Sequence, residues 1–303
     1  MTVKTIFYIL LICWILFVAV YPDLKQPKGS ALVRNTTESA DRLLTNPMAK
    51  DFGRLHEFAY LCAASYGVKK YDELVVDSDA LLGLWEIVLK EQTAAILEKA
   101  KKENVWGYSY EVYQRTKLSV ENKNVFAIVY RGTDGPIDFW SNGHWITKYV
   151  PGVKTQYEFV KETTREIVES IKQLSLENTN ELEVVVAGHS LGGGLAQQAA
   201  YSVDGIKTVF AYASSPVTGY YDVNKKEREM RKQGMQIYRV HERGEILAYF
   251  RRIMGVIYPV VRTNPKITEI RYNFQDLSKN IVNLHGIGPL ALNLRKAWEQ
   301  SSE

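Results

Sequence analysis

Apolar and polar residues alternate along the chain in segments that predict strands and helices in turn. The run Val184-Val185-Val186 is wholly apolar, which is typical of a buried strand, and small, helix-compatible residues follow it as far as Tyr201. Lys154 to Leu174 carries its apolar residues on one side, and this amphipathic pattern predicts a helix. Strands that alternate with helices favour right-handed crossovers, and therefore an α/β fold whose mainly parallel sheet has helices on both faces.

The same alternation continues on both sides of this central unit. Four further strands are predicted from β-rich runs, at residues 106–113, 125–130, 208–213 and 236–240. Three further helices are predicted from amphipathic or charged segments, at residues 55–62, 81–102 and 222–232. The chain therefore has enough elements for one large α/β domain.

The amino-terminal segment differs from the rest of the chain because it is a continuous, uncharged apolar run. Thr5 to Tyr21 contains no charged residue, and as a helix it would be about 25 Å long, slightly short of a roughly 30 Å hydrocarbon core. We expect residues 1–21 to be an N-terminal hydrophobic helix that anchors the chain in a membrane, with a cleaved signal segment as the alternative. Residues 22–50 are polar and predict a tether, and residues 51–303 predict the globular domain. The domain would then lie outside the cytosol, anchored to a membrane or, after cleavage, secreted.

Composition and charge narrow the classes of function. The 303 residues are 46% hydrophobic, which is sufficient for a sizeable core. A formal net charge of +4, scattered along the sequence, gives no indication of nucleic-acid binding. Cys13 and Cys62 are the only cysteines, and the five histidines show no H-E-x-x-H pattern. We therefore expect no disulfide framework, no metal site and no cofactor.

A G-x-S-x-G sequence, Gly188-His189-Ser190-Leu191-Gly192, follows the valine strand. A strand, a sharp turn and a helix are the context in which this motif presents a nucleophilic serine at the carboxyl edge of a sheet. Glycines on both sides of Ser190 indicate that the strand and helix backbones approach too closely for side chains. The alternative interpretation is a tight glycine turn that happens to hold a serine.

A serine hydroxyl needs a general base, and the base needs a carboxylate to orient it. His285 is the expected base, because it lies near the carboxyl terminus in a loop that can fold back over the sheet edge; His241 is the alternative. Glu245 is the expected acid, because it lies in the loop after a predicted strand and precedes an apolar pair that can pin the loop. Other carboxylates remain open as the acid, namely Glu242, Asp222 and Asp276.

The charge that develops on a substrate carbonyl needs two hydrogen-bond donors. The first is expected to be the amide of Leu191, directly after Ser190 at the start of the helix. The second is expected to be the amide of Thr133, in a turn that follows an earlier predicted strand. A routine Gly-Thr-Asp-Gly turn is the alternative interpretation of this segment.

Three motifs resemble, in order and spacing, those of the class 3 lipases, the fungal triacylglycerol lipase-like branch of the α/β-hydrolases. They are R-G-T-D at 131–134, G-H-S-L-G-G at 188–193 and S-S-P-V-T-G at 214–219. The resemblance covers roughly residues 51–294. It implies an α/β-hydrolase fold with Ser190 as nucleophile, His285 as general base, and Thr133 with Leu191 as the oxyanion hole.

The chain departs from this family at two positions. The family places an aspartate after the penultimate strand, whereas Glu245 or Glu242 must serve here. The usual arginine after the proline of the third motif is Val217. The acid is therefore the site residue that the resemblance supports least.

The resemblance implies a serine ester hydrolase of lipase type that cleaves acyl esters of glycerolipids at a membrane surface through an acyl-serine intermediate. A phospholipase A, a short-chain esterase or a thioesterase would use the same triad. A catalytically inactive lipid-binding protein on the same scaffold is the alternative outside the enzymes. Trp140 and Trp145 fall in the region that forms a lid in lipases, with a capping loop that holds core tryptophans as the alternative.

Overall fold

A computed structural model of the chain describes residues 26–35, 37–38, 40–45, 54–67, 83–117, 122–132, 155–176, 180–257, 265–275 and 283–302. The hydrophobic helix predicted within residues 1–21 and the lid predicted around Trp140 and Trp145 lie outside these residues. Within the described ranges, no helix combines the length and the apolar character that a membrane crossing requires.

Nine strands of the described chain form one mixed sheet. They are β1 (Ala31–Asn35), β2 (Arg42–Leu44), β3 (Trp85–Val88), β4 (Tyr110–Arg115), β5 (Asn124–Tyr130), β6 (Leu182–His189), β7 (Ile206–Tyr212), β8 (Gln236–Glu242) and β9 (Lys266–Tyr272). Their order across the sheet is β2-β1-β9-β8-β7-β6-β5-β4-β3. The five central strands, β5 to β9, run parallel, and the two strands at each margin are antiparallel.

Helices cover both faces of this sheet. They are α1 (Leu55–Ala64), α2 (Lys90–Lys102), α3 (Gln156–Ser175), α4 (Leu191–Ser202), α5 (Lys225–Arg231), α6 (Ile246–Ile257) and α7 (Ile287–Ser302), with 3-10 turns at Tyr220–Asp222 and Asn283–His285. α2, α3 and α4 pack on one face, and α1 and α7 pack on the other. The predicted α/β-hydrolase fold is therefore confirmed.

Strand β5 shows why the sheet needs helices on both sides. All seven of its residues are buried. Phe126 and Ile128 belong to the apolar core under α3 and α4, whereas Val125, Ala127 and Val129 belong to the core under α1 and α7. Successive side chains of a strand point to opposite faces, so a continuous apolar run requires a core on each face.

The segment expected to be a tether contributes two strands instead. β1 pairs antiparallel with β9, and β2 pairs with β1. Within β1, the side chains of Ala31 and Val33 are buried against the sheet, whereas Arg34 is exposed. β1 lies in a mostly polar segment, and its stability comes from pairing with a strand that is more than 200 residues away, so its local sequence does not predict it.

The helix predicted over residues 81–102 is wrong in its first part. Trp85–Val88 is strand β3, which pairs antiparallel with β4, and helix α2 begins only at Lys90. Leu89 separates the two elements with a φ of 56°, in the left-handed region. Pairing with β4 outweighs the helical periodicity that the sequence shows here.

We expect Phe210→Ala to lower the free energy of unfolding by about 3–5 kcal/mol. Phe210 is 2% exposed, and its ring stacks on Phe58 and Tyr238 at centroid distances of 4.4 and 5.1 Å. Leu176→Ala is the control, since Leu176 is 73% exposed and its loss should change stability by no more than about 0.5 kcal/mol. Urea unfolding of both variants tests this; equal midpoints would contradict the described packing.

Candidate active site

Ser190 lies between the end of β6 and the start of α4, at the carboxyl edge of the sheet. Its φ of 58° and ψ of −125° fall in a region that residues with side chains rarely adopt. The Ser190 amide donates to the carbonyl of Tyr212 at 3.0 Å, and its carbonyl accepts from the amides of Gly193 and Ser215 at 3.1 and 2.9 Å. The predicted strand, sharp turn and helix around Ser190 are therefore confirmed.

Gly188 and Gly192 allow the backbones around Ser190 to touch. A Cβ atom on Gly192 would lie 2.1 Å from the carbonyl oxygen of Tyr130 at the end of β5. A Cβ atom on Gly188 would lie 2.2 Å from the carbonyl oxygen of Gly192. Such distances are far inside van der Waals contact, so any larger residue would push α4 away from the sheet. The close approach predicted from the two glycines is therefore confirmed.

Glu245 and His285 are joined by a hydrogen bond. Nδ1 of His285 lies 2.8 Å from Oε2 of Glu245, and both side chains are buried. An ionised carboxylate only accepts hydrogen bonds, so the His285 proton sits on Nδ1 and Nε2 is left as the basic atom. The residues predicted as acid and base are thus in contact, and their catalytic roles stay predictions.

Arg251, on α6, is a second partner of Glu245. Its guanidinium donates to Oε1 of Glu245 and, at 2.7 Å, to the carbonyl of Ser214. The amide of Leu247 donates to Oε2 of Glu245 at 2.8 Å. Burial alone would raise the pKa of Glu245, but the charge of Arg251 and the hydrogen bond from His285 hold that pKa below its usual range. Glu245 is therefore an ionised, fixed acceptor for the imidazole.

The alternative acid, Glu242, has a different set of contacts. It ends β8 and is fully buried. Its Oε1 accepts hydrogen bonds from the backbone amides of Phe274 and Gln275 at 2.8 and 3.0 Å. Glu242 therefore holds the segment that follows β9.

The structure describes two of the remaining three alternatives, Asp222 and His241. Asp222 is exposed in the 3-10 turn after β7, and Asp276 lies outside the described residues. His241, the alternative base, is buried on β8 with Nε2 3.9 Å from a carboxylate oxygen of Glu269. Burial, together with the charge of Arg251, lowers the pKa of His241 to about 3.

His189, the residue before the serine, connects the site to a second segment. Its Nε2 lies 2.8 Å from the carbonyl oxygen of His285, so Nε2–H donates to that oxygen. Its Nδ1 then accepts from the hydroxyl of Tyr66 at 3.0 Å, and the same hydroxyl accepts from the amide of Gly132 at 2.9 Å. Burial lowers the pKa of His189 to about 3, with the nearby His285 acting in the same direction. A neutral His189 thus links Gly132, through Tyr66, to the backbone of His285.

The predicted oxyanion donors are only partly within the described chain. Leu191 opens α4, and the first amides of a helix have no carbonyl one turn earlier to accept their hydrogen bonds. Thr133 lies outside the described residues, but Gly132, which precedes it, packs on Ser190: a Cβ on Gly132 would lie 3.0 Å from the Cβ of Ser190. Gly132, the residue before the second predicted donor, therefore lies beside the serine.

Sequence reasoning identified neither Tyr66 nor Arg251 as part of this site. Tyr66 precedes its partner His189 by 123 residues, and no local pattern connects the two. Arg251 lies six residues after Glu245, and its spacing gives no sign that its guanidinium turns back to that carboxylate. Across the ranges that the structure describes, no group of three or more His, Cys, Asp or Glu side chains is placed to hold a metal ion.

The sequence matches the model of a phospholipase-like family described as a Tle-like phospholipase domain, over residues 58–261. These residues make up about two thirds of the chain and include Ser190 and Glu245. No curated protein sequence matches the chain.

Several solved structures are distantly similar. A fungal lipase in an inhibitor complex is 16% identical, with 70% of this chain and 74% of that chain covered and a TM-score of 0.43. A mutant form of MDLA from Penicillium cyclopium is 16% identical, with coverages of 69% and 77% and a TM-score of 0.43. A lipase from Rhizopus microsporus var. chinensis is 14% identical, with coverages of 67% and 69% and a TM-score of 0.41.

We expect Glu245→Gln to lower kcat for ester hydrolysis by roughly 10³–10⁴-fold, because an amide does not fix the His285 tautomer or stabilise its protonated form. Glu242→Gln is the matched control: it keeps the shape but weakens hydrogen bonds to two backbone amides, so it should lower stability and leave kcat within a few-fold. Initial rates on a soluble ester and urea unfolding separate the two effects. A larger loss of kcat in Glu242→Gln would reassign the acid.

We expect the free energy of unfolding to fall as the pH is lowered below about 6.5. His189 and His241 have folded pKa values of about 3, well below the ordinary histidine value of 6.5, so unfolding takes up protons between these pH values. Each histidine contributes a slope of roughly 1.4 kcal/mol per pH unit in this window, and none above it. In urea titrations from pH 4 to 8, His241→Gln should show a shallower slope than the wild type. Parallel curves would show that folding does not lower the pKa of His241.

Proposed function

The chain belongs to the phospholipase-like family of Tle-like phospholipase domains, and from this premise we propose that it hydrolyses the acyl esters of membrane phospholipids. It is a carboxylic ester hydrolase of lipase type. The observation that carries the proposal is the hydrogen bond between Glu245 and His285, beside an elbow that holds Ser190 at a positive φ. A buried carboxylate–imidazole pair, whose histidine contacts the residue before a strained serine, supplies the groups that acyl transfer needs.

The reaction begins at the hydroxyl of Ser190. Nε2 of His285 removes the hydroxyl proton as the serine oxygen attacks the acyl carbonyl of the substrate. Glu245 keeps the Nδ1 proton in place and stabilises the imidazolium that forms. His285 then gives its proton to the departing alcohol, and the acyl group remains on Ser190.

Water completes the cycle. His285 takes a proton from a water molecule, the resulting hydroxide attacks the acyl-serine, and the fatty acid leaves as Ser190 regains its proton. In both steps the negative charge on the carbonyl oxygen is held by the amides of Leu191 and Thr133. The positive end of the α4 dipole favours the same charge.

Arg251 makes this acid different from an isolated carboxylate. It neutralises part of the Glu245 charge and ties the acid to the carbonyl of Ser214, in the turn that also hydrogen-bonds the Ser190 backbone through Ser215. Acid and nucleophile are therefore held by one connected set of contacts. A longer glutamate side chain can serve in place of the aspartate of class 3 lipases because it is fixed at both oxygens.

The uncharged run from Thr5 to Tyr21 supports a location at a membrane. The chain is anchored by this segment, with the catalytic domain outside the cytosol, or is secreted if the segment is cleaved. Its substrate is then the lipid of the surface to which it binds.

A fluorophosphonate probe applied to the full chain in detergent micelles should label Ser190, as located by peptide mass. Ser190→Ala should remove the label, and His285→Ala should slow labelling by roughly 10³-fold or more, because the hydroxyl loses its base. His241→Gln is the histidine control and should label at the wild-type rate. Absence of label in folded wild-type protein would support the inactive lipid-binding alternative.

The same preparation then identifies the substrate class. We expect fatty acid release from phosphatidylcholine and from a soluble p-nitrophenyl ester, and none in Ser190→Ala. Hydrolysis of the soluble ester or of a thioester without release from any phospholipid would favour the short-chain esterase or thioesterase alternative. Release from triacylglycerol alone would favour a lipase specific for neutral lipids.

A further inference from the structure

Gln26 is fastened to the carboxyl edge of the sheet by both its side chain and its backbone. Its side-chain amide donates to the carbonyls of Arg271 and Ser30 at 2.9 and 3.1 Å, and its Oε1 accepts from Nε of Arg271 at 2.8 Å. Its backbone carbonyl accepts from Arg243 at 2.7 Å and from the Asn273 side chain at 2.8 Å. We call these contacts the Gln26 clamp. Gln26 is 7% exposed, so it is part of the folded domain.

The clamp lies at the same edge of the sheet as the candidate active site. Arg271 and Asn273 are at the end of β9, and Arg243 precedes Glu245 by two residues. The amide of Arg243 also donates to the carbonyl of Tyr272 at 2.7 Å. Because β5 to β9 are parallel, their carboxyl ends share one edge, and Ser190 follows β6 at that edge. The chain before residue 26 therefore joins the domain on the active-site side.

Very little chain separates the clamp from the apolar run. Thr5 to Tyr21 is uncharged, and only Pro22 to Lys25 stand between Tyr21 and Gln26. A fully extended chain covers at most about 3.6 Å per residue, so the five steps from Tyr21 to Gln26 can span no more than roughly 18 Å. A flexible tether of residues 22–50 would let the domain rotate freely relative to the apolar run. The Gln26 clamp, β1 and β2 all lie within that range, however, so only residues 22–25 separate the apolar run from the clamp.

We propose that residues 5–21 insert into a lipid bilayer and that the Gln26 clamp holds the carboxyl edge of the sheet, with Ser190, toward that bilayer. The opposite edge lies about 23 Å farther away, the length of a seven-residue strand such as β8, so the short connection favours one orientation. The partner surface is the bilayer in which the chain is anchored, and the enzyme hydrolyses lipids of its own membrane. This last statement rests on the proposed function; the orientation does not.

Resonance energy transfer from a dye on the protein to a labelled lipid tests the orientation, and this measurement does not require enzymatic activity. The full chain, with Cys13→Ser, is reconstituted in phosphatidylcholine vesicles that contain an acceptor-labelled lipid; Cys62 is buried and stays unlabelled. A donor dye is placed at Asn283→Cys, near the carboxyl edge, or at Gln233→Cys, just before β8 at the opposite edge; both positions are exposed. We expect higher transfer from position 283. Equal or reversed transfer, or failure of the chain to float with the vesicles, would overturn the proposal.

A spacer variant tests whether the proposed orientation raises the rate of phospholipid hydrolysis. About 20 Gly/Ser residues inserted between Tyr21 and Pro22 should lower the rate on phospholipid of the same vesicle by roughly tenfold, because the effective concentration of a tethered site falls steeply with linker length. The rate on a soluble ester should not change, and the same spacer added after Glu303 is the control for length. The inserted spacer should also reduce the difference in transfer between the two dyes.

The outcomes separate the two proposals. If no ester is hydrolysed by any form but transfer still differs between the dyes, the proposed function fails and the orientation stands. If the soluble ester is hydrolysed and the spacer leaves both the lipid rate and the difference in transfer unchanged, the function stands and the clamp does not orient the site.

Discussion

The backbone of α4 touches the end of β5, and the geometry of the site follows from that contact. Gly192 lies against the carbonyl of Tyr130, and Gly188 lies against Gly192, with no space for a side chain at either position. The chain must therefore turn within a single residue, which is Ser190 with its φ of 58°. The strain of this conformation is offset by three backbone hydrogen bonds and by a core that covers both faces of the sheet.

A continuous set of polar contacts extends from this elbow to the other parts of the site. It runs from Arg251 to Glu245 and His285, and through the neutral ring of His189 to Tyr66 and Gly132. Buried polar groups are costly unless each has its partners, so the members of such a network hold one another in place. Glu245, His285 and Gly132 are thereby fixed relative to one another before a substrate arrives, which is the preorganisation that the proposed electrostatic catalysis would require.

The amino-terminal segment relates the candidate active site to the proposed membrane surface. Gln26 and β1 extend the sheet at β9 and contact the loop that carries Glu245, so the folded domain begins at the active-site edge. In the proposed orientation, the apolar run that ends five residues before Gln26 would place Ser190 and a lipid surface on the same side of the molecule. Such an arrangement would suit the proposed phospholipid hydrolysis, in which the substrate is the surface itself.

The sequence by itself determined the elements whose stability is local or whose periodic pattern of apolar residues extends over several turns or a whole strand. The valine strand, the glycine-flanked serine, the amphipathic α3 and the alternation of strands and helices from β4 to β8 were predictable, because the period of apolar positions follows from strand and helix geometry. The preference for His285 and Glu245 also came from sequence, through their place after the strands. Only the tertiary structure showed that His285 hydrogen-bonds Glu245 and that Glu242 accepts hydrogen bonds from the amides after β9. Hydrogen-bond partners depend on distances between segments that are far apart in the chain. For the same reason β1, β3, Tyr66, Arg251 and the Gln26 clamp became visible only in the folded molecule, where distant segments meet and pairing outweighs local preference.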